Sequence, residues 1–288
     1  MSRAADFPYD MGNAGDLLKH GVLAELVAWQ CELGMRFRFM DPFGGEPHAP
    51  PMPEVSRRVR ALNSSALRTA QVDIENGRYF GSGLLVRHAA RVTGCGHVRV
   101  LSGDVCSGRR RRQRECGLEM LHEELPPQGV EADRGFQNGH DGYKMLDAIA
   151  TGAQAGDVVL IDPFFDHFVQ CRASAVVPRI ADIATRGAVL LFVLNPSPKD
   201  VAGQRFDGLL GEHLRGAWRM TCPPLRETSV RGESKYHAEA VLAARQLTER
   251  RSQDSTGLLW NRVAAFTQQL ADVLGLPRDP LTPRLVGP

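Results

Sequence analysis

Lysine is scarce in this chain. Of 35 basic residues only Lys19, Lys144, Lys199 and Lys235 are lysines, so arginine supplies almost all the positive charge. The 33 acids bring the formal net charge down to +2. That balance lacks the lopsided charge of a dedicated nucleic-acid binder, and the arginine bias reads as a compositional habit. The cysteines are scattered at 31, 95, 106, 116, 171 and 222, with no CxxC pair and no Cys/His ligand spacing. This pattern argues against a metal site and suits free thiols in a reducing cytoplasm. The longest apolar run, AVLLFVL at 188–194, is too short to cross a bilayer. The opening MSRAADFPYD has no apolar stretch of the signal-peptide type, and the chain carries no internal repeat. The expectation is a cytoplasmic protein with no metal and no membrane partner.

What is present is enough apolar residue for one large core. A 43% hydrophobic content over 288 residues predicts a single domain over 1–288, with a small insert at 46–76. Residues 14–32 place Leu17, Leu18, Val22, Leu23, Leu26 and Val27 on one helical face. FRFM at 37–40 reads as a strand running into DPFGG. The Pro-, Arg- and Ser-rich stretch 46–76 reads as loop with one short helix. Further strands are expected at HVRVL (97–101), within 128–137, at VVLID (158–162) and at AVLLFVL (188–194). HAEAVLAARQL (237–247) suits strand or helix, because alanine favours the latter. A helix starts at HDGYKML with Asp141 as its cap, and another spans 258–275. Alternating strands and helices, with all-apolar strands, predict an α/β fold with a mostly parallel sheet covered on both faces.

Such sheets bind ligands beyond the carboxyl ends of their strands. Asp41, Asp104, Asp141 and Asp162 all fall at or just after a predicted strand end. The segment VVLIDPFFDHF is the most telling. Pro163 restricts Asp162 to extended backbone, so a carboxylate there has little freedom. It can accept an N–H from a substrate nitrogen, and Phe164 or Phe165 can stack on a flat ring. Packing alone would explain the same residues. The stretch GNAGDLLKH at 12–20 is a glycine-bearing helix start able to face an anion, with Lys19 and His20 close behind. GRRRRQR at 108–114 is the single basic cluster, to be read as an RNA-phosphate surface or as a solvated helix face.

Five segments in order resemble the RlmJ-type 23S ribosomal RNA adenine-N6 methyltransferases. They are GNAGDLLKHGVL, MDPFGG, RYFGSGLLVRHAAR, HDGYKML and VVLIDPFFD, which together span about 10–45 and 78–196. The resemblance implies a class I methyltransferase, Rossmann-like fold with a seven-stranded sheet, using S-adenosylmethionine. It implies that Lys19 and His20 lie near the methionine end of the cofactor. Ser82 would contact it, Asp141 and Gly142 would lie by its adenine, and Asp162 would be the catalytic acid. Asp41, and Asp104 for the ribose, complete the expected cofactor side.

The departures from that family gather on the target side. Phe164 stands for the second proline of its DPPY motif, Phe165 for the tyrosine and Phe43 for a histidine. Its N-terminal tyrosine has no clear counterpart, although Tyr9 is near. These changes suggest a retained methyl donor and a changed acceptor. The expected reaction is methylation of a nitrogen-containing aromatic small molecule, indole-like or another heterocycle, with Asp162 accepting its N–H. Tyr9, Phe43, Phe164, Phe165 and His167 would form the substrate pocket. The alternatives are the family's own adenine-N6 methylation of ribosomal RNA, or a non-catalytic protein that binds the cofactor or RNA.

Overall fold

The computed structural model describes residues 11–51, 53–125, 141–163, 168–194, 201–229, 232–244 and 255–287. Tyr9, Phe164, Phe165 and His167, and the strand expected within 128–137, lie outside the described residues.

Eight strands form the main sheet, not the seven expected. They are β1 (Phe37–Asp41), β4 (Val98–Ser102), β5 (Glu119–Met120), β6 (Val158–Ile161), β7 (Ala188–Leu194), β8 (Trp218–Ser229), β9 (Gly232–Ala244) and β10 (Arg284–Leu285). Two short strands, β2 (His48–Ala49) and β3 (Tyr79–Phe80), pair separately. The order across the main sheet is β10-β8-β9-β7-β6-β1-β4-β5. The five strands from β7 to β5 run parallel, while β9 is antiparallel to both β7 and β8, and β10 is antiparallel to β8. The additional strand is β10, two residues long at the sheet edge. This is a mostly parallel α/β sheet with an antiparallel flank.

Period-two alternation divides the core between two faces. In β7, Ala188, Leu190 and Phe192 join one apolar cluster, while Val189, Leu191 and Val193 join the other. The first face is covered by α1 (Ala14–Glu32), α4 (Ser82–Val92) and the late helix α10 (Ser255–Leu274). The opposite face is covered by α7 (Gly142–Gly152), α8 (Ala173–Ala184) and α9 (Val201–His213).

The stretch 46–76 holds two α-helices rather than one, α2 (Pro53–Ala61) and α3 (Ala66–Ala70). Their Val55, Val59, Leu67 and Ala70 are buried in the same cluster as α1. Glu25 of α1 joins these parts. Its carboxylate accepts from the Ala66 backbone N–H at 2.7 Å and from Arg262 Nε of α10 at 3.0 Å. Arg262 also reaches Glu32 at 2.6 Å.

From β1 the chain proceeds to β4 and β5 on one side, and later to β6 and β7 on the other. The direction of strand order therefore reverses between β1 and β6, the place where such folds open a crevice. Asp41 closes β1, and Asp162 follows β6 by one residue.

Candidate active site

Three acids and one lysine meet at that reversal. The N-terminus of α1 is capped by the Asn13 side chain, which accepts from Asp16 N–H at 2.9 Å. Asp16 in turn accepts from the Gly12 N–H at 2.9 Å. Capping aims the first turns of α1 across the carboxyl ends of β6 and β7. Lys19 Nζ then lies 2.8 Å from Asp16 Oδ1 and 2.6 Å from Asp162 Oδ2. Its ammonium also sits over the Phe192 ring, 5.1 Å from the centroid.

Asp162 is 25% exposed, the one acid of the group that faces solvent to this extent. Its other oxygen, Oδ1, has no hydrogen-bond partner among the described residues. Burial raises its carboxyl above the usual range, and Lys19 only partly offsets this. Asp41 is fully enclosed. It accepts from the Ser82 hydroxyl and from the Phe43 N–H at 3.1 Å. Burial pushes it up to about 7; the Ser82 bond and Lys19 pull down, while the charge of Asp162 adds to the rise. Asp16 is held below the ordinary range despite its burial, because Lys19 and the Gly12 N–H favour the anion.

His20 points elsewhere. Its Nδ1 shares a 2.9 Å hydrogen bond with the Tyr79 hydroxyl, in a buried pair. Burial lowers it to about 3, with the Lys19 charge adding to the effect, so the ring is neutral. The structure thus places His20 in the packing behind the cluster and leaves Lys19 as its lone cation among the described residues.

Two other acids are committed to local structure. Asp141 caps α7 by accepting from Tyr143 N–H at 3.0 Å, as its position before a helix start predicts. Gly142, the next residue, is packed so closely under Phe43 that an added Cβ would lie 2.5 Å from its ring. Phe43 and Tyr143 meet edge to face at 5.1 Å, which makes an aromatic wall on this side of the crevice. Asp104 accepts from the Cys106 N–H at 2.6 Å and from Arg109 at 3.4 Å. Burial raises its carboxyl.

Asp16, Tyr79 and Phe192 were not anticipated from sequence as site residues. The i,i+3 spacing of Asp16 and Lys19 could have suggested the first. The others depend on elements far apart in the chain. The basic run 109–114 forms α5 (Ser107–Glu115), and its side chains face inward acids and carbonyls or neighbouring glutamates. An open concavity of about 490 Å³ lies between the carboxyl-terminal halves of α7 and α8, beside the segments that lead into β6 and β7.

The cluster can do two things. Three carboxylates against one ammonium leave a surplus of negative charge suited to a cationic ligand. Asp162, a quarter exposed, can accept a hydrogen bond through Oδ1. Among the described residues no group of His, Cys, Asp and Glu could hold a metal ion. Nor is any described helix long and apolar enough to span a membrane.

No family model matches the chain, and no curated protein is significantly similar in sequence. A solved structure of a Legionella pneumophila (strain Philadelphia 1) protein of family DUF519 is similar in fold. It matches 82% of this chain and 88% of its own, with a TM-score of 0.55 and 13% identity. A Pyrococcus horikoshii protein assigned as an RNA methyltransferase matches 77% of this chain and 82% of its own. That match has 12% identity and a TM-score of 0.35, below the level of a shared fold.

Proposed function

We propose that the protein is an S-adenosylmethionine-dependent methyltransferase whose acceptor is an adenine amino group in RNA. One observation carries the methyl-transfer reading: Asp41 and Asp162 converge at the reversal of strand order, with a single lysine for three acids. The cofactor carries a sulfonium and an ammonium, and a site short of positive charge fits both. Asp104, the Ser82–Asp41 pair and the aromatic wall beside Gly142 fit its ribose, amino-acid and adenine parts in kind. When bound, the cofactor supplies an electrophilic methyl group.

The residues of this chain do the rest. Lys19 holds Asp162 Oδ2 and so fixes the carboxylate's rotation. Oδ1 is left to accept an N–H of the acceptor, which keeps the nitrogen lone pair turned toward the methyl. Because burial makes this carboxylate more basic, it is a better acceptor than a solvated one. As the methyl's sulfur–carbon bond gave way to the new N–C bond, the nitrogen would shed a proton, which Asp162 could take and pass toward solvent. Positioning, more than acid–base strength, supplies the rate.

The choice of RNA rests on the five ordered motifs and on the fold they share with a methyltransferase-like sheet. A small aromatic acceptor, suggested by Phe43 and by the changes around Asp162, finds no support among the solved structures similar to this one. Methyl transfer from labelled cofactor, comparing unmodified ribosomal RNA with indoles and related heterocycles, tests the assignment. Label on RNA that falls steeply between about 50 and 200 mM salt is expected. Label confined to a heterocycle, indifferent to salt, would overturn the acceptor while leaving the chemistry. No binding of the cofactor would overturn both.

A further inference from the structure

The arginine-rich helix α5 is the strongest feature that the proposed reaction leaves unexplained. Its residues divide by helical face. Arg111 and Arg114 point outward, to Glu115 at 3.5 Å and Glu123 at 2.5 Å. Arg109, Arg110, Arg112 and Gln113 reach instead, among the described residues, to acceptors in two loops.

The first is the glycine loop 42–47 that follows Asp41. Gln113, 1% exposed, donates both amide hydrogens to it, at 2.8 Å to Gly44 O and 2.9 Å to Gly45 O. Arg112 grips Glu46 with two bonds of 2.7 and 2.5 Å, and Arg109 adds a third contact at 3.5 Å. The second is the loop after β4. There Arg110 donates to Asp104 O at 2.6 Å and Val105 O at 3.0 Å, and Arg109 reaches the Asp104 carboxylate. The far side of the glycine loop rests on the start of α4. Gly81 N–H donates to Pro47 O at 2.9 Å, and a Cβ on Gly81 would lie 2.3 Å from Glu46 O. Ser82, the next residue, holds Asp41.

The geometry points to α5 as an internal clamp that positions both cofactor-facing loops, with Gln113 and the Arg112–Glu46 pair as its positioning residues rather than as contacts to RNA phosphate. The inference rests on the cofactor reading above. Gln113 sets where the loop carbonyls point, and so where the loop's opposite edge faces the crevice. Losing it leaves the buried Gly44 carbonyl, and the partly exposed one of Gly45, without this donor.

The test is Gln113→Met, which keeps the volume and removes both donors, with Arg111→Ala as a control on the 76% exposed outer face of the same helix. Two quantities are read: calorimetric affinity for S-adenosylhomocysteine, and amide hydrogen exchange of residues 42–47 without ligand. Gln113→Met is expected to weaken that affinity about tenfold or more. It should also speed exchange in this loop at least tenfold, while β6 and β7 stay protected and affinity for RNA is unchanged. Arg111→Ala should match the wild type in both. Wild-type affinity in Gln113→Met, or unchanged exchange, overturns the clamp. Should the wild type not bind the cofactor product, the proposed reaction fails and the exchange result alone decides the clamp. If Gln113→Met does not fold, Glu46→Gln, which breaks the ion pair from the loop side, gives the same two readings.

Discussion

Lys19 of α1 reaches Asp162 at the end of β6 across 2.6 Å, though 143 residues separate them in the chain. This one bond joins the first helix to the carboxylate on which the proposed chemistry turns. It also fixes which oxygen of Asp162 is left to act.

Replacing Asp162 by Asn preserves the shape and removes the charge. Methyl transfer should fall by about 100- to 10,000-fold, the range for losing a positioned acid–base group. Affinity for S-adenosylhomocysteine should stay within about threefold. Single-turnover transfer alongside calorimetry checks this, and an active Asp162→Asn enzyme would remove the assigned role.

Lys19→Met should do more harm to the fold than Asp162→Asn. It strands Asp16 and Asp162 with no ammonium between them, a loss of about 3–5 kcal/mol for a broken buried pair. The double variant should recover at least about 1 kcal/mol over the sum of the singles. Urea unfolding of the four proteins gives the coupling; simple additivity would mean that the contact carries no energy.

Asp41 sets a pH dependence whose sign can be worked out. Its folded value of about 7 lies above the ordinary 3.8. The folded protein therefore holds this proton where the unfolded chain has released it. Stability from this group is full below about pH 4 and is lost as pH rises through 7. A cationic ligand favours the ionised form, so affinity for S-adenosylmethionine should climb between pH 6 and 8. Asp41→Asn should flatten that climb and raise Tm relative to the wild type more at pH 8 than at pH 5. Calorimetry and thermal melts across this range provide the measurement.

His20 gives the opposite slope. Its folded value of about 3 lies below 6.5, so the unfolded chain takes up the proton first. Stability from the buried neutral ring is present above pH 6.5 and drains away as the solution is acidified toward 3. Tyr79→Phe, which removes the hydroxyl bonded to Nδ1, should cost about 1–3 kcal/mol at pH 7. Equal urea midpoints for Tyr79→Phe and wild type would show that the bond contributes nothing.

Gly21 lies in the middle of α1, where alanine would ordinarily be better by about 1 kcal/mol. Here a Cβ would sit 1.7 Å from the Phe266 ring of α10. Gly21→Ala should destabilise by about 1–3 kcal/mol despite its helix preference. Gly21→Ala combined with Phe266→Leu should regain part of that loss in the same unfolding assay.

Much of the fold was legible because apolar runs speak clearly. FRFM, VVLI and AVLLFVL fall on β1, β6 and β7, and Asp141 caps the helix it precedes. The alanines of 238–244 were ambiguous. They form a strand because β9 lies between β7 and β8, where cross-strand bonds outweigh alanine's helical preference. Reading acids at strand ends brought Asp41 and Asp162 to one place. It could not tell that His20 turns toward Tyr79, because that depends on side-chain direction. The arginine run was unreadable for the same reason: Glu46 and Gly44, its partners, lie more than sixty residues upstream.

The bond between Glu25 and Arg262 spans 237 residues, and Phe266 sits on Gly21 beside it. During synthesis the helix bearing Lys19 emerges well before the segment that seals its outer flank, which follows 237 residues later. Translation must therefore pass residue 266 before that flank is shielded, and in the interim a nascent chain offers a greasy surface to chaperones or to its neighbours. Ribosomes stalled short of residue 255 would hold a product in which that flank of α1 is still bare.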